Sequence, residues 1–255
     1  AIGKNALDAP DTENDNLAIG YDALGGSIAG GEYNVAIGNY SLDATTSGDA
    51  NTAIGYNSLT ANTTGNYNTA SGYHALASNT TGSRNTASGN YALTSNTTGV
   101  DNTASGYHAL YSNTEGNYNT ASGRAALYYN TTGSNNTTSG YYALVSNTTG
   151  VDNTASGFKA LYANTTGERN LAIGYQTLDA ADTEDDNLAI GYDALGGAIA
   201  GGEFNVAIGN YSLDATTSGD NNTATGYDAL TGTTTGADNT ALGYDAGDVI
   251  TTGSQ

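Results

Sequence analysis

Two histidines are the first residues of this chain whose type and spacing could do chemistry. His74 and His108 each follow the tripeptide Ser-Gly-Tyr, and they occupy the same position in two copies of a short repeat. One zinc ion bound by both would be the most specific interpretation, since imidazole nitrogens bind zinc at about 2.0 Å. A further copy of the repeat lies between the two, so stacked strands would separate the two positions by about 9.6 Å. We therefore predict no metal site at this pair.

Acidic residues form two groups that could bind a cation. The groups comprise Asp8, Asp11, Glu13 and Asp15, and then Asp179, Asp182, Glu184, Asp185 and Asp186. Carboxylates are ligands for Ca²⁺, but neither the EF-hand spacing nor the nonapeptide of calcium-binding β-rolls is present. We expect solvated turns here, with weak calcium binding as the alternative, and we expect no other cofactor.

Six asparagines begin the tripeptide Asn-Thr-Thr, which is an acceptor sequence for N-glycosylation. The candidate glycosylation sites are Asn62, Asn79, Asn96, Asn130, Asn147 and Asn164. Asn and Thr also favour turns by bonding to nearby backbone. The pattern predicts turns at one edge of the molecule, with glycosylation as the alternative.

Catalytic chemistry has little support in the sequence. The basic residues are Lys4, Arg84, Arg124, Lys159 and Arg169, and they are scattered along the chain. An acid–base site needs such groups gathered in one cleft. We predict that the protein is not an enzyme.

A tandem repeat must position all of these residues. Glycine occurs at positions 3, 20, 38, 55, 72, 89, 106, 123, 140, 157, 174, 191, 209, 226 and 243, which we call the repeat glycines. Successive repeat glycines are 17 residues apart, except that the steps from 20 to 38 and from 191 to 209 are 18 residues long. This unit is too short for a helical hairpin repeat. Its content of Gly, Thr, Asn and Ser disfavours helices and favours turns. The sequence predicts an all-β parallel β-solenoid (β-roll) of about 15 coils, one per repeat.

Three positions of the repeat predict its interior. Leucine stands four residues after the repeat glycine in every coil but the last, and we expect it to form the core. Alanine stands two residues before the glycine, except at Thr138, and so belongs to the same strand face as the glycine. Asparagine stands four residues before it, where stacked amides can bond from coil to coil. Aromatic residues often follow the repeat glycine and could form a stacked ladder or contact another chain, which we favour over sugar binding.

The residues flanking the strand alanine divide the coils into two kinds. The middle coils carry Thr and Ser, as at Thr86 and Ser88. Other coils carry apolar pairs, which we predict to be lateral contacts: Leu17, Ile19, Val35, Ile37, Leu188, Ile190, Val206 and Ile208. Residues 1–84 resemble residues 172–255, so the pattern recurs after ten coils. We interpret residues 1–255 as a single continuous solenoid segment with this super-repeat.

Composition excludes several classes of partner. The chain has five Lys plus Arg against 25 Asp plus Glu, a formal charge of -20. Nucleic acids need clustered basic residues, so we expect no nucleic-acid binding. No apolar run is long enough for membrane insertion. Cysteine is absent, which suits an exposed extracellular position.

The phrases Asn-Leu-Ala-Ile-Gly, at 16–20, 170–174 and 187–191, and Asn-Val-Ala-Ile-Gly, at 34–38 and 205–209, give the chain a family resemblance. They resemble head repeats of trimeric autotransporter adhesins and similar repeats of phage tail fibres. The resemblance implies a left-handed β-roll, three chains side by side, and a location on a cell or virion surface. It also implies copies of the chain as partners, with a host surface or glycan receptor as a further one.

These observations favour a structural and adhesive fibre segment, forming the shaft or head of an adhesin or tail fibre. One alternative is an ice-binding β-solenoid, although the Thr rank is interrupted at Leu17, Val35 and their counterparts. The other alternative is a calcium-responsive secreted repeat.

Overall fold

The computed structural model describes residues 1–8, 15–26, 30–197, 201–216, 218–248 and 251–252. They form two compact units, Ala1–Thr132 and Gly133–Gln255. Both units are built from strands of three residues. Among the described residues there is no helix, and hence none that could cross a bilayer.

Each unit contributes seven strands, and one strand belongs to each repeat. In the first unit these are β1 (Leu17–Ile19), β2 (Val35–Ile37), β3 (Thr52–Ile54), β4 (Thr69–Ser71), β5 (Thr86–Ser88), β6 (Thr103–Ser105) and β7 (Thr120–Ser122). In the second they are β8 (Thr137–Ser139), β9 (Thr154–Ser156), β10 (Leu171–Ile173), β11 (Leu188–Ile190), β12 (Val206–Ile208), β13 (Thr223–Thr225) and β14 (Thr240–Leu242).

Within each unit, every strand pairs in parallel with the strand of the next repeat. The register aligns equivalent residues, as in Ala53 with Ala70 and Ala70 with Ala87. Ile2 adds an isolated parallel bridge to Ile19 at the start of the first unit. A chain that advances by one strand per repeat is a β-solenoid, so the predicted fold class and repeat length are confirmed.

The interior of each coil is thin and consists of the predicted residues. The core leucines from Leu24 to Leu230 have no exposed surface, and the central alanine of each strand is buried. Thr138, which replaces that alanine in β8, is also buried. Burying one leucine side chain contributes about 2 kcal/mol, so no coil is stable alone and each depends on its neighbours.

Backbone conformation explains how so short a repeat closes one coil. Among the described residues, each complete coil has three non-glycine residues with positive φ, for example Tyr91 (φ 59), Leu93 (φ 54) and Asp101 (φ 57). The left-handed conformation costs an L-residue about 1 kcal/mol, so the packing of adjacent coils must offset this strain in every repeat.

The repeat glycines are required by close contact between coils. Gly72 has φ +143, and a Cβ there would lie 2.5 Å from the carbonyl oxygen of Gly89 in the next coil. Real side chains do not tolerate such a contact with backbone. A thin interior of alanine and glycine is therefore possible because coil backbones approach each other at this column.

The asparagines before each strand form the predicted hydrogen-bonded ladder, which we call the first asparagine ladder. The backbone N–H of Asn85 donates to Oδ1 of Asn68 at 3.0 Å, and the N–H of Asn102 donates to Oδ1 of Asn85 at 3.0 Å. Nδ2 of Asn68 also donates to the carbonyl oxygen of Gly82 at 2.9 Å. The side chain thus satisfies backbone groups that would otherwise be buried and unpaired.

Candidate interaction surfaces

The outer strand face carries an apolar patch in the first unit. The first apolar patch consists of Leu17, Ile19, Val35, Ile37 and Ile54 on β1, β2 and β3. Strand register places Leu17 beside Val35 and Ile19 beside Ile37. All five side chains lie outside the core, with Leu17 42% and Ile54 43% exposed. The apolar pairs predicted from the sequence therefore share one outward surface.

The second unit carries a corresponding patch. The second apolar patch consists of Leu171, Ile173, Leu188, Ile190, Val206 and Ile208 on β10, β11 and β12. Its strands align in the same way, and all six side chains are partly or fully exposed. The same pattern adds Ile54, Leu171 and Ile173 to the eight residues predicted for lateral contact.

Hydroxyl groups replace the apolar side chains in the intervening strands of the first unit. The hydroxyl patch consists of Thr69, Ser71, Thr86, Ser88, Thr103, Ser105, Thr120 and Ser122. All eight residues are exposed, and the alanine between each pair is buried. None of the fourteen strands contains a charged residue. On a chain with a formal charge of -20, the strand face is an uncharged strip.

One group of carboxylates lies on the turns that follow the strands, including Asp22, Asp43, Asp193, Asp214 and Asp228. In the first unit, burial raises the pKa of Asp43, and the negative charge of Asp22 raises it further. In the second unit, burial raises the pKa of Asp214, and the charges of Asp193, Asp179 and Asp228 raise it further. Negative charges on adjacent coils therefore repel one another along this edge.

The second acidic group is largely occupied by hydrogen bonds within the protein. The carboxylate of the buried Glu184 accepts the backbone N–H groups of Asp182 and Gly201, at 2.7 and 2.9 Å. Asp185 Oδ1 accepts the N–H of Glu168 at 2.7 Å. In the first group, Asp11 and Glu13 lie outside the described residues. Within the described part of the chain, no three acidic or histidine side chains are gathered as metal ligands.

Two of the arginines form ion pairs between adjacent coils. Nε and Nη2 of Arg84 donate to the two carboxylate oxygens of Asp101 at 2.6 and 2.8 Å. Arg169 makes the same paired contact with Asp186, at 2.8 and 2.9 Å. All four side chains are exposed to solvent, which screens each pair, so these contacts contribute little to stability.

Aromatic rings form the predicted ladder along the turn after the strand. Tyr56 and Tyr73 stack with ring centroids 5.4 Å apart and planes at 11°. Tyr175 and Tyr192 stack at 5.1 Å and 1°. Within these pairs, the faces of adjacent rings therefore lie against one another. Sugars bind aromatic residues through ring faces, so this arrangement disfavours the tyrosines as a sugar platform.

The two histidines belong to this aromatic row. The ring of His74 stacks on Tyr91 with centroids 5.5 Å apart, and His108 meets the same tyrosine edge to face at 5.1 Å. Burial lowers the pKa of both imidazoles, and Arg124 lowers that of His108 further. Because the ring of Tyr91 lies between them, the pair does not have the geometry of a shared metal site.

The six sequon asparagines are buried rather than displayed at a surface edge. Nδ2 of Asn79 donates to Oδ1 of Asn62 at 2.8 Å and to the carbonyl oxygen of Gly82 at 2.9 Å. The second asparagine ladder comprises Asn62, Asn79, Asn96, Asn113 and Asn130 in the first unit and Asn147 and Asn164 in the second, all without exposed surface. A glycan on Nδ2 would break these bonds and has no room inside the coil. These six asparagines therefore cannot carry a glycan while the coils are folded.

The sequence contained a signal for this second ladder. Asn113 is followed by Thr114 and Glu115, so it keeps the asparagine without forming a sequon. Its Nδ2 donates to Oδ1 of Asn96 at 2.9 Å, like its neighbours. The asparagine is thus retained for its hydrogen bonds.

The second ladder is confined to these coils. Thr45, Thr216 and Thr233 occupy the same position, and their buried hydroxyl groups have no partner. Oδ1 of Asn164 is also unpaired, because Ala181 follows it in the column. The coils of β2, β10, β12 and β13 therefore lack this second set of amide bonds, whereas the coil of β3, which carries Ile54, has it through Asn62.

In comparisons with known proteins, no family model, no curated protein and no solved structure matches this chain.

Proposed function

We propose that this chain is a structural and adhesive segment of an extracellular fibre on a cell or virion surface. The observation that carries the proposal is the uncharged outer strand face, with its two apolar patches, on a strongly acidic solenoid. Stacked coils supply a rigid scaffold, and the strand face supplies the contacts.

Copies of the same chain are the first proposed partner. Two molecules of charge -20 repel each other over most of their surfaces, but the strand face adds no charge to the contact. Burying the apolar side chains contributes roughly 25 cal/mol per Å². Leu17, Ile19, Val35 and Ile37 recur in the super-repeat as Leu188, Ile190, Val206 and Ile208, so each unit presents a matching surface to a second copy. Through these contacts, copies of the chain assemble as a fibre or a trimer. The assembled fibre in turn has a host surface or a glycan receptor as its partner.

Electron microscopy of the purified chain in negative stain tests this function. We expect elongated particles associated side by side through the strand face. A parallel assay should measure retention of these particles on cells and on immobilised glycans. Isolated single particles that bind neither would contradict both parts of the proposal.

The hydroxyl patch supports ice binding as a second candidate. Its Thr and Ser side chains are exposed in adjacent, aligned strands and could order water. The apolar patches interrupt the same rows, which favours the fibre. Thermal hysteresis of a dilute solution distinguishes the two functions, since only an ice-binding protein separates the freezing and melting temperatures.

A further inference from the structure

We infer that the tyrosine ladder is a site of oxidative cross-linking, at which one-electron oxidation joins stacked tyrosines of adjacent coils. The chain has 20 Tyr but no Cys, Met or Trp. Cysteine and methionine are common targets of oxidants, and both are missing. One-electron oxidation of this protein therefore falls on its tyrosines, and the fold decides which of them lie close enough to couple.

Ring geometry selects particular pairs. Four tyrosine pairs are stacked nearly parallel, with centroids 5.0 to 5.4 Å apart: Tyr56–Tyr73, Tyr111–Tyr128, Tyr175–Tyr192 and Tyr227–Tyr244. Coupling of two phenoxyl radicals begins with overlap of the π orbitals at their ortho carbons. Parallel rings present these orbitals to each other, whereas the edge-to-face pair Tyr91–Tyr107, at 6.4 Å and 89°, does not.

A peroxide can serve as the oxidant for this coupling. A peroxidase removes one electron and the phenolic proton from each of two tyrosines, and hydrogen peroxide takes up the two electrons and two protons to become two waters. The radicals form one carbon–carbon bond between ortho carbons. Each ring then regains its aromaticity when its ortho hydrogen moves to the phenol oxygen. The product joins equivalent tyrosines of adjacent coils and has lost two hydrogen atoms.

Phe158 provides a control inside the ladder. Its ring stacks on Tyr141 at 5.6 Å and on Tyr175 at 4.9 Å, with planes within 3° and 12°. It has the geometry of the ladder without a phenol that can form the radical. Tyr67 provides the opposite control, because it is 65% exposed, compared with 41% for Tyr73, and lies in another column. Exposure would favour reaction at Tyr67, whereas stacking favours reaction at Tyr73.

The test is oxidation of the dilute chain with a haem peroxidase and limiting hydrogen peroxide, followed by proteolysis and mass spectrometry of the monomer. We expect cross-linked peptides from the four stacked pairs, several-fold more abundant than after oxidation in urea. Tyr73→Phe should abolish the link to Tyr56 and leave Tyr175–Tyr192 unchanged. Phe158→Tyr should create a new link from position 158 to Tyr141 or Tyr175.

Circular dichroism should show that both variants keep the wild-type fold. Phe158 follows its repeat glycine as Tyr73 does, so the coil already accommodates phenylalanine at this position. Cross-links dominated by Tyr67 and other tyrosines outside the four stacked pairs would overturn the inference. Equal yields in folded and unfolded chains, or no new link in Phe158→Tyr, would overturn it as well.

Discussion

Two regions of the first unit share one interior and differ outside it. The coils of β1 to β3 and those of β4 to β7 bury the same leucine, alanine and first asparagine ladder. The first region exposes an apolar patch, and the second exposes hydroxyl groups. The interior ladders therefore determine the fold, while the outer residues are free to carry function.

The second asparagine ladder also differs along the first unit. Asn62 to Asn130 are paired through their amides in the first unit, whereas Thr45 leaves its hydroxyl unpaired beside the apolar patch. In the second unit, Asn164 is the last asparagine of the ladder, and Ala181 takes its position in the coil of β10. In the first unit, the amide-bonded ladder therefore begins in the coil of β3, one coil before the apolar pairs of the outer face give way to hydroxyl groups.

The largest effect is expected from a charge in the shared interior. Leu110→Asp should destabilise its coil by more than about 4 kcal/mol, because it removes a buried leucine and introduces an unpaired charge. Coils stabilise only their neighbours, so hydrogen exchange should rise around Leu93 and Leu127 and little beyond. Thr103→Asp is the matched control, since it places the charge on the outer face of the same coil. Uniform loss of protection, or none, would contradict this prediction.

Removing one amide of the second ladder should have a smaller effect. Asn96 donates to Oδ1 of Asn79 at 2.7 Å and to the carbonyl oxygen of Gly99 at 3.0 Å, and it accepts from Asn113 at 2.9 Å. Asn96→Ala leaves these groups buried and unpaired, which should cost about 2 to 4 kcal/mol in urea unfolding. A loss below about 0.5 kcal/mol would show that the ladder is not needed for stability.

Extending the ladder should stabilise the flanking region. Thr45→Asn supplies an oxygen that can accept Nδ2 of Asn62 in the next coil and should stabilise the protein by about 1 kcal/mol. Thr216→Asn is the control, because its neighbour Thr233 has no amide to donate. Equal changes in the unfolding midpoint for both variants would argue against the ladder as the cause.

The smallest effect concerns the acidic edge of the second unit. Because the folded-state pKa of Asp214 is raised, the protonated carboxyl group favours folding below its unfolded pKa, and this contribution is lost as pH rises through the folded pKa. Asp214→Asn should therefore stabilise the protein at neutral pH, by less than about 1 kcal/mol. The difference from wild type should disappear below about pH 3.9. A stability difference independent of pH would contradict the repulsion described for Asp179, Asp193 and Asp228.

Much of the fold could be predicted because the ladders keep one register. The repeat glycines fixed the coil length, and Leu110 and Asn68 are buried as their positions indicated. The left-handed conformation of the core leucines could not be predicted, since leucine has no local preference for it and the stack imposes it. Burial of Asn79 and the other sequon asparagines was missed because turn and glycosylation patterns both place asparagine outside.

The surfaces were predictable only as patterns. Alternation along the strand placed Leu17 and Ile19 outside, as the structure has them. Stacking angles, by contrast, depend on side-chain rotamers and could not be obtained from spacing. The sequence therefore located the tyrosine ladder but could not separate the parallel pair Tyr56–Tyr73 from the edge-to-face pair Tyr91–Tyr107.

Sedimentation velocity tests most directly the claim that the ladders fold the chain and the apolar patches associate it. The wild type should sediment as an assembly larger than the monomer. A variant with Leu17, Ile19, Val35, Ile37, Leu188, Ile190, Val206 and Ile208 replaced by Thr or Ser should sediment as a folded monomer, with hydrogen exchange in its core leucines unchanged. A control with Ser71, Ser88, Ser105 and Ser122 replaced by Ala should associate like the wild type. A wild type that sediments as a compact monomer, or a patch variant that associates equally well, would contradict the account.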